Sequence, residues 1–262
     1  MKISIIGSGN VATHLAQALF VLKHEIIQIY SRNIQHSSIL AKQVNAQPVD
    51  QLTALLPADL YIIAVTDAAI SQISIELTGL KLHGAVVHTS GSTDISALKD
   101  IGSDYGVFYP LQTFSKASSV NFKTVPLLIE ASNVKFGEQL DQLARQLSDH
   151  LYHYNSEQRR SLHLSAVIAC NFSNYLYSVA NQYLEQQGVD FNLLKPLIME
   201  TAHKIQQHAP ASVQTGPAIR QDHAILAMHQ QMLANQPALQ QLYQLLSKGI
   251  IEMKDVKAND MR

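Results

Sequence analysis

From residue 2 to residue 153 short apolar runs alternate with stretches whose apolar positions recur every three or four residues. The runs "KISIIG", "EIIQIYS", "DLYIIAVT" and "GAVVHTS" have strand length and are apolar on both faces, and "YGVFYPL", "VPLLIEA" and "HLYHYN" continue the series. Between them "VATHLAQALFVL", "SSILAKQVN", "AAISQISIEL" and the strongly amphipathic "KFGEQLDQLARQLSD" carry the helical period. Alternation of this kind predicts βαβ units and a mostly parallel, doubly wound sheet with helices on both faces. Beyond Asn155 the strand signals stop. "SEQRRSLHLSAVIACNFSNYLYSVANQYLEQQG" opens at Ser156, an N-cap candidate, contains no internal Pro or Gly, and closes at Gly188, which predicts one helix of about thirty residues. Helical patterns follow around "LLKPLIMETAHKIQQ", "QDHAILAMHQQMLAN" and "PALQQLYQLLSKGI", and the polar tail "KDVKANDMR" reads as frayed. The expected organisation is an α/β domain over residues 1–153 and an all-helical domain over residues 154–262.

The loop after the first strand, "IIGSGNVA", sets Gly7, Gly9 and Ala12 at the three positions of G-x-G-x-x-G/A, between a strand and a helix. Gly7 allows the tight turn, Gly9 lets a phosphate approach the backbone, and Ala12 keeps helix and strand close. With Ser8, Asn10 and Val11, these glycines present amide groups at a helix start, where free N–H donors and the helix dipole favour an anion. The first domain is therefore read as a dinucleotide-binding Rossmann domain. At the end of the second strand, "QIYSRN", the acid that would bind a ribose 2′-hydroxyl is missing, and Ser31, Arg32 and Asn33 offer donors to a 2′-phosphate instead. NADP is favoured over NAD. Val65 and Thr66 lie where the cofactor's linker passes in such folds; Asp67 beside them is read as an N-cap or as a functional acid.

Composition narrows the classes further. Of 262 residues 47% are hydrophobic, enough to bury a sizeable core, and only 15% are charged, against roughly 25% in an average domain. The net charge of −1 gives no electrostatic reason to expect nucleic acid or an anionic membrane as partner. No long apolar segment reads as a membrane span or as a signal peptide. The single cysteine, Cys170 in "AVIACNF", is expected on a buried helix face as a structural thiol, and a chain without a disulfide framework suits the cytoplasm. The histidines lack metal-ligand spacing, His203 and His208 included, so no metal site is expected.

The segments "HTSGSTDISAL", "GVFYPLQTF" and "TGPAIRQD" resemble a bacterial family of NADP oxidoreductases that joins a Rossmann-like domain to a C-terminal domain of unknown function. The likeness covers essentially the whole chain. It places the family in the superfamily with a 6-phosphogluconate-dehydrogenase-like helical domain, beside β-hydroxyacid dehydrogenases, pyrroline-5-carboxylate reductase, ketopantoate reductase and the deazaflavin-dependent NADP reductase. The resemblance implies a nicotinamide near Ser90 and Gly91, a substrate pocket shaped by the Tyr109-Pro110 step and Gln112, and a homodimer formed through the helical domain. It also implies a catalytic lysine three residues before an Asn in the long helix, but that place holds Ile168.

The remaining candidates are weighed on their chemistry. Ser90 is read as a substrate donor or as a turn hydroxyl, and His88 as a histidine packed at a strand end. At 100° per residue His163, Val167, Cys170 and Asn174 share a stripe with Asn171 to one side, so buried polar groups there would need partners. His163 is the foremost proton donor because imidazole titrates near neutrality, or else it is bonded within the domain interface; Tyr109 is the weaker donor. Arg220 is read as a clamp for a substrate carboxylate, or as a partner of Asp222 or another acid. The sum is an NADP-dependent oxidoreductase that moves hydride to a small carbonyl or imine substrate in the cleft between the domains. The alternatives are a nucleotide-binding sensor without catalysis and an imine reductase akin to pyrroline-5-carboxylate reductase.

Overall fold

The computed structural model describes residues 1–80 and 82–260, with side chains through Met253. Eight strands form one sheet: β1 (Lys2–Ile6), β2 (Glu25–Tyr30), β3 (Gln47–Val49), β4 (Leu60–Ile63), β5 (Ala85–His88), β6 (Tyr105–Pro110), β7 (Leu127–Ala131) and β8 (Leu151–His153). Their order is β3-β2-β1-β4-β5-β6-β7-β8, parallel throughout except that β7 runs antiparallel to β6. Of these only β3, three residues containing Pro48, escapes the sequence pattern; at the sheet edge a missing N–H is tolerated. The chain reverses its direction of winding between β1 and β4, which makes their carboxyl ends the switch point.

The strand period of two divides the apolar residues between two layers. Ile3, Ile5, Ile29, Phe108, Leu127 and Ile129 point to one face and pack with Leu15 and Leu19 of α1 (Asn10–Val21), Leu40 of α2 (Ile34–Gln43) and Phe136, Leu140 and Leu147. On the other face Ile6, Tyr61 and Ile63 meet Ile70, Ile73 and Leu77 of α3 (Asp67–Thr78). Helix α4 (Val134–Leu147), the source of Phe136, starts at Asn133, whose side chain accepts from the Phe136 N–H.

Helix α5 (Ser156–Ala166) covers the second face near β6, where Leu162 joins Val107, Tyr109 and Leu128. Its N-cap is Asn155, in a reciprocal capping box with Gln158, rather than Ser156. Ser156 becomes the first helical residue and turns its hydroxyl to Glu130 on β7, 2.8 Å away. The expected single helix is continuous but not uniform: a π turn, Val167–Phe172, separates α5 from α6 (Ser173–Gln186). A π turn holds roughly one residue more than an α turn. That slip breaks the expected stripe: His163 and Val167 keep their α spacing, Cys170 lies within the turn, and Asn174 beyond it is rotated by about one residue step, ~100°. Cys170 is exposed, which corrects the buried thiol, and Leu164, Ile168, Phe172 and Tyr175 of the same segment are exposed with it.

Contacts divide the chain into residues 1–176 and residues 177–262. The second unit holds the rest of α6, ending in a Schellman turn in which Val189 and Gly188 donate to Leu184 and Glu185, then α7 (Lys195–Gln207), α8 (His223–Met232) and α9 (Pro237–Asp260). Among its described residues only Ala218, Leu226 and Leu233 are buried apolar side chains. The tail read as frayed begins inside α9; its side chains, and residues 261 and 262 altogether, lie outside the described residues.

Candidate active site

The carboxyl ends of β1, β2, β4, β5 and β6 lie on one edge of the sheet, and each is followed by, or ends in, a residue singled out in the sequence. After β1, Gly7 has φ +134° and its amide donates to the Tyr30 carbonyl at 2.9 Å; a Cβ there would sit 2.1 Å from the Ala64 carbonyl oxygen. Only glycine accepts both that backbone and that contact. Gly9 differs, since a Cβ there would meet nothing within 4 Å. It stands over open space at the start of α1, whose first turn has neither a side-chain cap nor an acid. Its leading N–H groups are thus left to an incoming anion.

That space is a cavity of about 780 Å³, the size of a cofactor pocket, and it contains most of the cofactor residues read from the sequence: Gly7, Ser8, Gly9, Asn10, Val11, Ser31, Arg32, Val65 and Thr66. Asn33 does not line it; its side-chain oxygen caps α2 by accepting from the Gln35 N–H at 2.9 Å. His36 and Lys116, which no motif marks, do line it. Arg32 is exposed at the mouth. Next to it, burial and then the Glu76 carboxylate push the Tyr30 hydroxyl up while Arg32 opposes them. The donors fit a dinucleotide with an extra phosphate: open amides at the switch point, and a guanidinium with no carboxylate at 31–33 where the ribose would lie.

Further along the edge, the turn after β5 is packed against α5. Tyr109, near the end of β6, places its hydroxyl 3.0 Å from Nδ1 of His163, with the rings edge to face at 6.0 Å. Gly91 makes room for both: a Cβ on it would lie 2.6 Å from His163 Nδ1 and 2.7 Å from Tyr109 Cζ. Burial, with the Asp67 charge second, pushes the Tyr109 hydroxyl up to about 12, so the phenol keeps its proton near neutral pH, and the imidazole tautomer sets which of the two groups donates. With the phenol as donor, a neutral ring carries its proton on Nε2; with Nδ1 as donor, the phenol oxygen accepts.

Ser90 is buried, and its hydroxyl oxygen accepts from the Ser92 and Thr93 amides at 3.1 and 2.9 Å, the turn role weighed for it. Asp67 is not an N-cap; Thr66 holds that position, and the Asp67 carboxylate accepts from the Ser92 hydroxyl. His88 is fully buried, its Nδ1 accepts from the Ser90 amide at 3.2 Å, and its Nε2 has no hydrogen bond of good geometry among the described residues. Burial first, then the Arg159 charge, lower it to about 4, so it is neutral near pH 7. Gln112 is exposed just past β6, where its side-chain oxygen accepts from the Thr113 amide. Asn171 and Asn174 are exposed beyond the start of the π turn. Arg220 belongs to the second unit, exposed in the turn before α8, and Asp222 caps that helix by accepting from Ile225 N–H at 3.2 Å.

The sequence motifs miss the clamp that fixes α5. Arg159, with no exposed surface, bonds the Glu130 carboxylate and the Thr93 carbonyl, and reaches Ser156 Oγ at 3.1 Å. Ser156 N–H donates to Glu130 at 3.0 Å, and the Ile95 N–H donates to Ser156 Oγ at 3.0 Å. One signal was available, an acid inside the apolar run "VPLLIEA", which demands a buried partner. Among the described residues no group of three or more His, Cys, Asp or Glu could hold a metal ion, and no helix is long and apolar enough to cross a membrane.

Comparison with known proteins fixes the family. Residues 2–89 match the family model described as NADP oxidoreductase, coenzyme F420-dependent, and residues 125–250 match a domain of unknown function, DUF2520. A candidate NADP oxidoreductase from Bacteroides fragilis is 42% identical over 96% of this chain and 98% of its own, with a TM-score of 0.90. The chain belongs to this NADP oxidoreductase family. NADP, the cofactor expected from "QIYSRN", is the family's cofactor. The α/β sheet followed by helices is the family's fold as well. A protein from Thermotoga maritima shares the fold at 20% identity and a TM-score of 0.81, covering 97% of this chain and 99% of that one. An imine reductase from Myxococcus stipitatus, solved with NADP+, shares it at 15% identity and 0.65, covering 98% and 95%. No curated protein matches the chain.

Proposed function

We propose that this oxidoreductase binds NADP(H) along the carboxyl edge of the sheet and reduces a small carbonyl or imine compound there. The observation that carries the reading is the shared edge. The open amides at Gly9, the Arg32 side chain and the Tyr109–His163 pair all follow from the carboxyl ends of parallel strands, on either side of the switch point. NADPH, when bound, supplies a hydride; the chain supplies orientation and a proton. His163 is the proton donor: as imidazolium it gives its Nε2 proton to the substrate and is left neutral, while Tyr109 orients the ring through Nδ1. Asn171, Asn174, Ser90, Gly91 and Gln112 stay as candidates around the substrate.

Cytoplasmic action belongs to this reading, since an exposed free thiol at Cys170 suits a reducing compartment. So does a homodimer: Leu197 and Met199 of α7 are 63% and 69% exposed in a unit with almost no core of its own, and a second copy is the occupant that would cover such a surface.

The test is a panel of carbonyl and imine substrates followed by NADPH absorbance. His163→Ala is expected to lower kcat at least 100-fold while NADP+ affinity stays within about threefold. Unchanged turnover in His163→Ala would remove the imidazole from the site. Ile168, at the superfamily lysine position, favours the other reading, a nucleotide sensor; binding of NADP(H) with no turnover across the panel would support it.

A further inference from the structure

The segment after β6 is remote in sequence from the glycine loop and falls between the two family matches, which end at residue 89 and begin again at residue 125. It nevertheless lies against the start of α1 at three successive positions. The Phe114 carbonyl accepts from Asn10 Nδ2 at 2.9 Å, the Ser115 carbonyl is 2.9 Å from His14 Nε2, and Lys116 Nζ donates to the Ser8 carbonyl at 2.9 Å. The His14 and Phe114 rings lie 5.3 Å apart. These contacts hold the Lys116 ammonium at the wall of the glycine-loop cavity, which Arg32 and His36 also line. A backbone carbonyl is a weak match for an ammonium on an exposed side chain. A phosphate in the same cavity would offer it full negative charge with little movement of the stem.

We propose that Lys116 is a phosphate ligand of the bound dinucleotide, a cation delivered from outside the two halves of the βαβ fingerprint. This rests on the reading that the Gly7–Val11 loop holds NADP(H). The ammonium leaves the Ser8 carbonyl for the phosphate, and the strap from Phe114 to Lys116 orders the glycine loop before the ligand arrives.

The test compares Lys116→Gln and Lys116→Arg with the parent chain by calorimetric titration with NADP+ and NAD+. Glutamine can still donate to the Ser8 carbonyl, so it removes the charge and keeps the strap. Expected is a loss of about tenfold or more in affinity for Lys116→Gln, with Lys116→Arg within about threefold of the parent. Equal loss for both nucleotides assigns Lys116 to the pyrophosphate; loss for NADP+ alone assigns it to the 2′-phosphate. A parent chain that binds NADP+ beside a Lys116→Gln variant that binds it equally well overturns the inference and leaves the cofactor reading standing. A parent chain that binds neither nucleotide overturns both.

Discussion

At Gly91 one hydrogen atom decides whether two side chains meet. The methyl of Gly91→Ala would occupy space held by His163 Nδ1 and Tyr109 Cζ, so the variant must push the pair apart or shift the turn. It is expected to lose about 1–3 kcal/mol of stability by denaturant titration and to reduce turnover together with it. Tyr109→Phe leaves the ring packing and removes only the hydroxyl bonded to Nδ1. Its cost in stability should be near 1 kcal/mol, and kcat should fall, because the imidazole loses the hydroxyl that holds its Nδ1. His88 gives the chain an acid liability. The unfolded imidazole takes up a proton below its ordinary 6.5, the folded one only near 4, so in that window the unfolded chain binds more protons. Stability should therefore fall as pH drops from about 6.5 to about 4, by about 3 kcal/mol in total. Urea titrations at several pH values check this, and His88→Gln should flatten that part of the curve; an unchanged slope would place the lost stability elsewhere.

Helix α5 shows what an element's placement depends on and how much of it can be read beforehand. Its start was legible within one residue, since "YNSEQ" carries two capping residues and the neighbour won: Asn155 caps, which frees Ser156 for Glu130. Its anchoring was not, because Arg159 and Glu130 are 29 positions apart and only folding brings them together. Glu130→Ala leaves the buried Arg159 charge without its carboxylate and should cost about 3–5 kcal/mol, read as a fall in the thermal midpoint. The glycine loop and the strands were legible for the opposite reason: their signals are local, a turn that only Gly7 can make and apolar runs buried on both faces. Periodicity failed in the long helix, where counting at 100° per residue assumes α geometry throughout and Val167–Phe172 departs from it. Lys116 was invisible because a lone lysine in a loop has no period and no motif; its meaning comes from Ser8, 108 positions away.

For the molecule as a whole, two surfaces ask for company. The first unit is filled on both faces of its sheet, whereas the second exposes Leu193, Leu197, Met199 and Leu245 at 63–73%. A chain that dimerises through the helical unit should sediment at about twice its 29.0 kDa, and Leu197→Glu with Met199→Glu should return it to the monomer. A sedimentation run that finds only monomer for the parent chain would remove the homodimer from the account. The other surface is the cavity at the switch point, and the claim that it takes NADP supports the reading of every other residue on that edge. Calorimetric titration of the parent chain and of Arg32→Ala with NADP+ and NAD+ addresses it directly. One site per chain is expected, with tighter binding of NADP+ than of NAD+ and a preference that Arg32→Ala cuts by about tenfold or more. Heat from neither nucleotide at millimolar concentration, or NAD+ bound more tightly than NADP+, would contradict it.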